Sequence, residues 1–339
     1  MPRVSVICAA YNGSKVLPPT LRALQAQDEP AFEVVVVDDA STDSTPQLLA
    51  ELKDPRFRVL TNSVNLKLIA TRNRAIEACR ASYIAVTDQD DPSHPARLRC
   101  QADYLDAHPE VSAVYTLIRS VDANGRPRRG VADWSFSADE ARAALLFHNF
   151  VSHSTLMFRR DRAPYPVYAA DYPLCEDYKL LVELSDRQAG LHVIRKPLVD
   201  WRYHESNHSH DVKSEMGEAS VRLRRTLLAR LGLNPSDSEM ALHQQFESTP
   251  DEPSLQLMRE SAEWLGHLGD ANARSQYVPA HAFENVLAAK WLEFSHKCCG
   301  LGPRAWLVFQ HGPSRALLRQ PAHWASAAKL AIKCQVTRR

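Results

Sequence analysis

Four consecutive valines, Val34 to Val37, follow Phe32 and Glu33 and stop abruptly at Asp38 and Asp39. A strand that is apolar without alternation is buried on both faces, as in a parallel sheet covered by helices. The runs Val4–Cys8 and Arg58–Leu60 read as two further strands, and Tyr83–Val86 as a fourth that again ends at carboxylates. Between them Leu17, Leu21 and Leu24 recur at helical spacing, and a helix is predicted over roughly Ile69 to Arg80. Alternating strands and helices make the first half an α/β fold with a largely parallel sheet. In such a sheet, ligands sit beyond the carboxyl ends of the strands. Two strands that end in acidic clusters therefore predict one polar site.

After about Asp211 helical patterns follow one another, around Val221–Leu231, Leu255–Leu268 and Phe283–Phe294, with prolines between them and weak strand signals. A chain of 339 residues accommodates one large or two moderate domains. The expected division is an α/β domain over residues 1–210 and a mainly helical region over 211–339. A net charge of +1 gives no case for a nucleic-acid partner. No apolar run reaches the ~18–20 residues that span a bilayer. The opening Met1-Pro2-Arg3-Val4-Ser5 leads straight into a strand, so no signal peptide is expected. Seven scattered cysteines without a Cys-x-x-Cys pair read as reduced thiols in a cytoplasmic protein.

Thr87-Asp88-Gln89-Asp90-Asp91-Pro92 follows the fourth strand. Three carboxylates in four residues repel one another unless a cation or hydrogen-bond donors neutralise them. A strand edge would place Asp88 and Asp90 on one side at period two, facing one ligand. Hard cations such as Mg²⁺ or Mn²⁺ take oxygen ligands and leave positions for phosphate oxygens. The plain alternative is a solvated acidic turn before a helix starting near Ser93. Asp38 and Asp39 close the second strand in the same way. Ser41 or Thr42 is expected to cap the helix near Pro46, which leaves the acidic pair to accept from a ribose hydroxyl or a base N–H. Ala9-Ala10-Tyr11-Asn12-Gly13 ends the first strand, its small residues allowing close backbone approach and Tyr11 offering an aromatic face.

Ala10-Tyr11-Asn12, Val37-Asp38-Asp39-Ala40-Ser41-Thr42-Asp43, Arg72-Asn73, Tyr83-Ile84 and Asp88-Gln89-Asp90-Asp91 together, in this order and spacing, resemble glycosyltransferase family 2. The resemblance implies a GT-A (Rossmann-like) fold and inverting transfer from a nucleotide-diphosphate sugar, a UDP-sugar being favoured. It implies that Ala10, Tyr11, Asp39, Arg72 and Asp88 bind the nucleotide sugar. Asp39 would meet the base, Arg72 the base or phosphate, Asp88 the ribose and Asp90 a divalent metal, Mn²⁺ or Mg²⁺. Lys67 and Ala81 stand where the family usually has Gly; Lys67 predicts a different loop shape or a cation near the donor phosphates. Cys175-Glu176-Asp177-Tyr178 opens a helix with Leu180, Leu181 and Leu184 on its buried side. It resembles the family's Glu-Asp pair, with Asp177 as base and Glu176 beside the acceptor; the alternative is that both acids only complement a helix N-terminus. An Arg-x-His segment makes His204 a candidate metal or phosphate ligand, with His208 and His210 read as surface residues. His153–Phe158 resembles the strand bordering the acceptor, and Trp134 stacks on a sugar ring or packs in the core.

After Glu293 no acidic residue occurs, while eight Lys and Arg mix with Trp306, Phe309, Leu317, Leu318, Trp324 and Ile332. This suits peripheral contact with an anionic membrane surface, or else a basic face packed on the protein or on another subunit, so an oligomer is compatible too. The function expected is sugar transfer to a hydroxyl of a glycan or lipid-linked glycan, in bacterial cell-surface polysaccharide synthesis. Two alternatives stand beside it: a nucleotide-sugar-binding scaffold without turnover, and transfer to a polyprenyl phosphate. A dehydrogenase fingerprint and a P-loop are both absent from the turn after the first strand.

Overall fold

The computed structural model describes residues 1–122, 125–128, 136–187, 190–202, 213–247, 250, 252–313 and 321–336. The chain forms two compact units, Met1–Ala138 with Phe150–Ala219, and Asp139–Asn149 with Ser220–Arg339.

The first unit is built on seven strands: β1 (Val4–Ala10), β2 (Phe32–Asp38), β3 (Phe57–Thr61), β4 (Tyr83–Val86), β5 (Ala113–Val121), β6 (Met157–Arg159) and β7 (Leu191–Arg202), in the order β3-β2-β1-β4-β6-β5-β7. All pairings are parallel except those of β6, which runs antiparallel between β4 and β5. Every residue of β2 is buried, as its unalternating valines require. Helices α1 (Leu17–Gln25), α2 (Thr45–Ala50), α3 (Lys67–Glu77) and α4 (Arg97–Ala107) connect the first five strands. Leu17, Leu21 and Leu24 of α1 pack into the core with Val4, Val6, Val34 and Val36, each contributing about 1.5–3 kcal/mol by burial. Helix α5 (Ala138–Ala144), which comes before β6 in the chain, belongs but for its first residue to the second unit, and α6 (Glu176–Ser185) of the first buries Leu180, Leu181 and Leu184. The chain turns outward from β1 to β2 and β3 on one side and reaches β4 on the other. The carboxyl ends of β1, β2 and β4 thus meet at the topological switch point.

Glu33 sits at the opposite end of this core. Its buried carboxylate accepts from the Ser5 hydroxyl (2.7 Å) and from the backbone and guanidinium of Arg80. Although burial opposes ionisation, these donors lower its pKa to about 2. Ala81 donates its N–H to Ser5 Oγ. It is not among the described residues with positive φ, so a side chain is accommodated where the family usually has Gly.

The described part of the second unit is helical, with α7 (Lys213–Arg230) from Ser220 onward, α8 (Asp237–Gln244), α9 (Leu255–Ser275), α10 (Ala280–Lys297), α11 (Pro303–His311) and α12 (Pro321–Val336). Helix α8 opens with a reciprocal capping box between Ser236 and Glu239. In the core the Trp264 indole donates to His243 Nδ1 (3.1 Å), which leaves the proton of Nε2 to donate to the Leu146 carbonyl (2.9 Å). Burial lowers the pKa of His243 to about 4, so the ring is neutral at physiological pH. Trp291 donates to the Phe309 carbonyl, and its ring fills the space that a side chain at Gly312 would need.

Candidate active site

The strand ends are joined first by backbone and hydroxyl bonds. Tyr11 N–H donates to Gln89 Oε1 (3.1 Å), and Gly13 lies so close to the Gln89 amide that a Cβ there would meet Oε1 unless Gln89 moved. Asn12, in the left-handed region at φ 47, donates its N–H to Ser41 Oγ and accepts from Thr42 N–H. Ser41 and Thr42 therefore tie the β1 and β2 turns together, and neither caps α2. The N-cap position is Ser44, which makes no side-chain cap bond; Asp43 before it accepts from the N–H groups of Thr45 and Ser14. The expected capping by Ser41 or Thr42 is absent because Asn12, from a distant turn, competes for these residues. Burial is the largest single influence on the Asp43 carboxyl and would raise it, but the Ser14 and Thr45 donors together outweigh it and hold it below its ordinary value. Ala10, which ends β1, accepts the Asp39 N–H on its carbonyl (2.8 Å).

Asp39 is buried and organises the loop before α3. Its carboxylate accepts from Asn62 Nδ2 (2.6 Å) and from the N–H groups of Leu66 (2.8 Å) and Lys67 (2.9 Å). Lys67 adopts φ 69. The loop keeps the left-handed conformation that glycine would take freely, contrary to the different loop shape expected of lysine. The carboxylate bond to the Lys67 N–H holds that strained backbone in place. Lys67 itself is exposed.

Arg72, buried on α3, joins the two halves of the site. One guanidinium nitrogen donates to Asp88 Oδ1 (2.7 Å) and the other to Glu176 Oε1 (2.8 Å), across 104 residues of chain. The group also stacks over the Tyr168 ring, 5.5 Å from its centroid. Asn73 next to it clamps the Tyr168 backbone, donating to its carbonyl (2.8 Å) and accepting its N–H (3.0 Å). Tyr168 shares a 2.7 Å hydrogen bond with His153 Nε2. Burial, and then the Arg72 charge, lower the His153 pKa to about 3, so this ring is a neutral strut. Tyr168 and Asn73 were not singled out from the sequence for this contact; the only available signal was the Arg72-Asn73 dipeptide.

Asp88 and Asp90 do not extend a strand. Strand β4 ends at Val86, and Asp88 to Asp91 form a turn, so the period-two argument fails. The turn nonetheless gathers the carboxylates. Cys8, at the end of β1, has its thiol pushed up to about 12 by burial and by the charges of Asp88 and Asp90. Asp91 is buried and raised well above the carboxylate range, by burial and then by Asp88 and Asp90. It accepts from the Ser154 hydroxyl and from the Arg202 N–H. Burial would raise Asp88 too, but Arg72 outweighs it and holds that carboxyl below its ordinary value. Beneath the turn lies Arg97, fully buried, which donates to Thr87 and Ser93 hydroxyls and to the Val86 and Leu156 carbonyls. Burial lowers its pKa to about 10. Ser93 pairs with Val199 in a β-bridge, and α4 starts only at Arg97 rather than near Ser93.

Asp177 opens α6 beside Glu176. Its carboxyl is pushed up to about 6 by burial and then by the Glu176 charge. Leu174, at φ 64, sets the direction of entry into the helix. Residues 153–155 form a 3₁₀ turn, so of the expected acceptor-side strand His153–Phe158 only Met157 and Phe158 are strand, within β6. His204, His208, His210 and Trp134 lie outside the described residues.

The donor set suits a hard divalent cation. Asp90 is half-exposed, and the Asp88 side chain keeps 31% of its surface open with one oxygen on Arg72. Among the described residues no group of three His, Cys, Asp or Glu side chains is arranged as a metal cage. Mg²⁺ needs none, since it binds through one or two carboxylates and completes its shell with water and substrate phosphates.

Residues 5–163 match the glycosyl transferase family 2 model. An uncharacterized glycosyltransferase of Haemophilus influenzae is 26% identical over 235 residues, covering 66% of this chain and 72% of that protein. The succinoglycan biosynthesis protein ExoO of Rhizobium meliloti is 35% identical over 161 residues, but the match spans only 48% of this chain and 45% of ExoO. S. aureus TarS 1-349, solved in complex with UDP-GlcNAc, shares the fold with a TM-score of 0.56 at 21% identity, covering 88% of each chain. The mostly parallel sheet and these likenesses agree: residues 5–163 are similar to glycosyl transferase family 2, a family of sugar transferases.

Proposed function

We propose that the protein is an inverting, metal-dependent glycosyltransferase that moves a sugar from a nucleotide-diphosphate donor, a UDP-sugar first among them, to a hydroxyl of a glycan or lipid-linked glycan. The observation that carries this reading is Asp177. Its carboxyl, raised to about 6, stands next to Glu176, which Arg72 links to the acidic turn after β4. A base with a pKa near the working pH combines adequate basicity with the right protonation state. Asp177 takes the proton of the acceptor hydroxyl as its oxygen attacks the anomeric carbon from the face opposite the nucleotide diphosphate. Arg72 offsets one of the two negative charges of Glu176 and Asp88, and the charge that remains raises the proton affinity of Asp177. Asp90, with the open edge of Asp88, would hold Mn²⁺ or Mg²⁺, which supplies charge neutralisation to the departing diphosphate; His204 is a further candidate ligand.

A polyprenyl phosphate acceptor is already ionised and needs no base, so the elevated Asp177 favours a hydroxyl. A scaffold without turnover has no use for such a group either. The ExoO likeness supports a role in surface polysaccharide synthesis, and a cytoplasmic site of action with peripheral attachment to the membrane face completes the reading. The test is turnover of UDP-sugars with Mn²⁺ or Mg²⁺. Activity is expected to fall at least a hundredfold in Asp90→Ala, on the order of losing one electrostatic stabiliser of the transition state. Undiminished turnover in excess chelator refutes metal dependence.

A further inference from the structure

Helix α12 carries 16 residues, Pro321–Val336, and its two faces differ sharply. Leu330 and Cys334 are fully buried and fasten one side to the second unit. At 3.6 residues per turn, Ala328, Ile332, Ala325 and Val336 fall together on the opposite side, all exposed. Trp324 borders this stripe on one edge, and Lys329 and Lys333 border it on the other. Exposure reaches 56% for Trp324, 61% for Ile332 and 77% for Val336. From Ala328 round to Val336 the apolar stripe is about 80° wide, with the exposed Gln335 between it and Trp324, and it faces outward. On α11, Leu307 is likewise exposed, between Arg304 one turn before and His311 one turn after.

Charge selects the occupant. No Asp or Glu follows Glu293 in the sequence, so the apolar stripe has cations beside it and no anion on the same helix. A symmetric contact between two copies through this face would bring Lys329 and Lys333 toward their own equivalents. An anionic bilayer complements all three features. Lipid tails receive Ile332 and Val336, the headgroup region suits the Trp324 indole, and phosphates meet the lysines. No described helix is long and apolar enough to cross a membrane, so the contact is one of lying on the surface.

We propose that the exposed face of α12, Trp324, Ala325, Ala328, Ile332 and Val336 with Lys329 and Lys333, is a docking surface for an anionic lipid bilayer. This rests on the peripheral placement in the functional reading above, and not on the transfer chemistry. It would hold the catalytic unit near acceptors anchored in that leaflet.

The experiment is co-sedimentation of the full chain with vesicles of phosphatidylglycerol and phosphatidylcholine in equal parts, against vesicles of phosphatidylcholine alone. No donor sugar is present. Binding is expected only to the anionic vesicles and is expected to weaken as salt rises. Lys329→Gln with Lys333→Gln should weaken it on the order of 25-fold, about fivefold for each lysine near the surface. Ile332→Ser should weaken it roughly tenfold through lost insertion. Both variants change exposed residues, and circular dichroism matching the parent is the control for folding. Absent binding at low salt, or equal binding to neutral vesicles, overturns the proposal. A dimer in sedimentation velocity that Ile332→Ser dissolves also overturns it, since the face would then be a subunit interface. Transfer to a soluble acceptor is measured separately, so a failed catalytic reading leaves this result independent.

Discussion

Arg72→Met is the most informative perturbation of the first unit. The arginine is 7% exposed and makes two charged hydrogen bonds, 2.7 Å to Asp88 and 2.8 Å to Glu176. Glu176 is equally buried, so removing the cation strands a carboxylate away from water, whereas Asp88 keeps some solvent. Breaking a buried ion pair from one side costs about 3–5 kcal/mol. The partial exposure of Asp88 places the expectation at the lower end, about 3 kcal/mol at pH 7. The sign of the pH dependence follows from Asp88, which Arg72 holds below its ordinary value against burial. A carboxyl lowered in the folded state contributes stability above its unfolded pKa of about 3.9, lost as pH falls through the folded value. The gap between parent and variant should therefore be full at neutral pH and shrink below about pH 4. Urea unfolding of the full chain, read in the transition of the first unit, measures both. A double-mutant cycle with Glu176→Gln should return a coupling of about 1–3 kcal/mol. A loss under about 1 kcal/mol at pH 7, or zero coupling to Glu176, would refute the bridge as the organiser of this site.

Asp177→Asn should lower kcat by about 10²- to 10⁴-fold with donor binding nearly unchanged, since a base acts in the transition state; parallel losses in both would make Asp177 structural. In the parent, kcat/KM should climb with pH up to about 6 and level off above it, as the raised carboxyl of Asp177 loses its proton. An acid limb that survives in Asp177→Asn assigns the titration to another group. Lys67→Gly removes a side chain from a backbone at φ 69 and should stabilise the fold by about 1 kcal/mol without changing donor affinity; a lower urea midpoint would mean that the lysine side chain holds contacts of its own.

Much of the first unit was legible because it is written locally. The unalternating valines of β2 demand burial on both faces, Leu17, Leu21 and Leu24 demand one face of a helix, and the acids after β2 and β4 mark where the strands open to solvent. Strand β6 was not legible as antiparallel, since three residues carry no periodicity of their own and take direction from β4 and β5. The partners of polar side chains were not legible either. Ser41 and Thr42 look like caps in isolation, but Asn12, some thirty residues away, claims them, and it is Asp43 that takes the Thr45 N–H where α2 begins. Lys67 looks like a change of loop, yet the Asp39 carboxylate holds it in the conformation of a glycine.

The sequence by itself determined which groups are present at the strand ends: two acidic turns, an arginine on the third helix, and a Glu-Asp pair opening the sixth. Tertiary structure decided what each of them is. Asp88, Asp91 and Asp177 are the same residue type, but Arg72 holds the first low, while burial and neighbouring carboxylates raise the other two. A carboxyl's proton affinity depends on its access to water and on the charges within a few ångströms. The burial of Asp91 and Asp177, and the Arg72 charge that reaches Asp88 from 16 residues away, exist only in the folded chain.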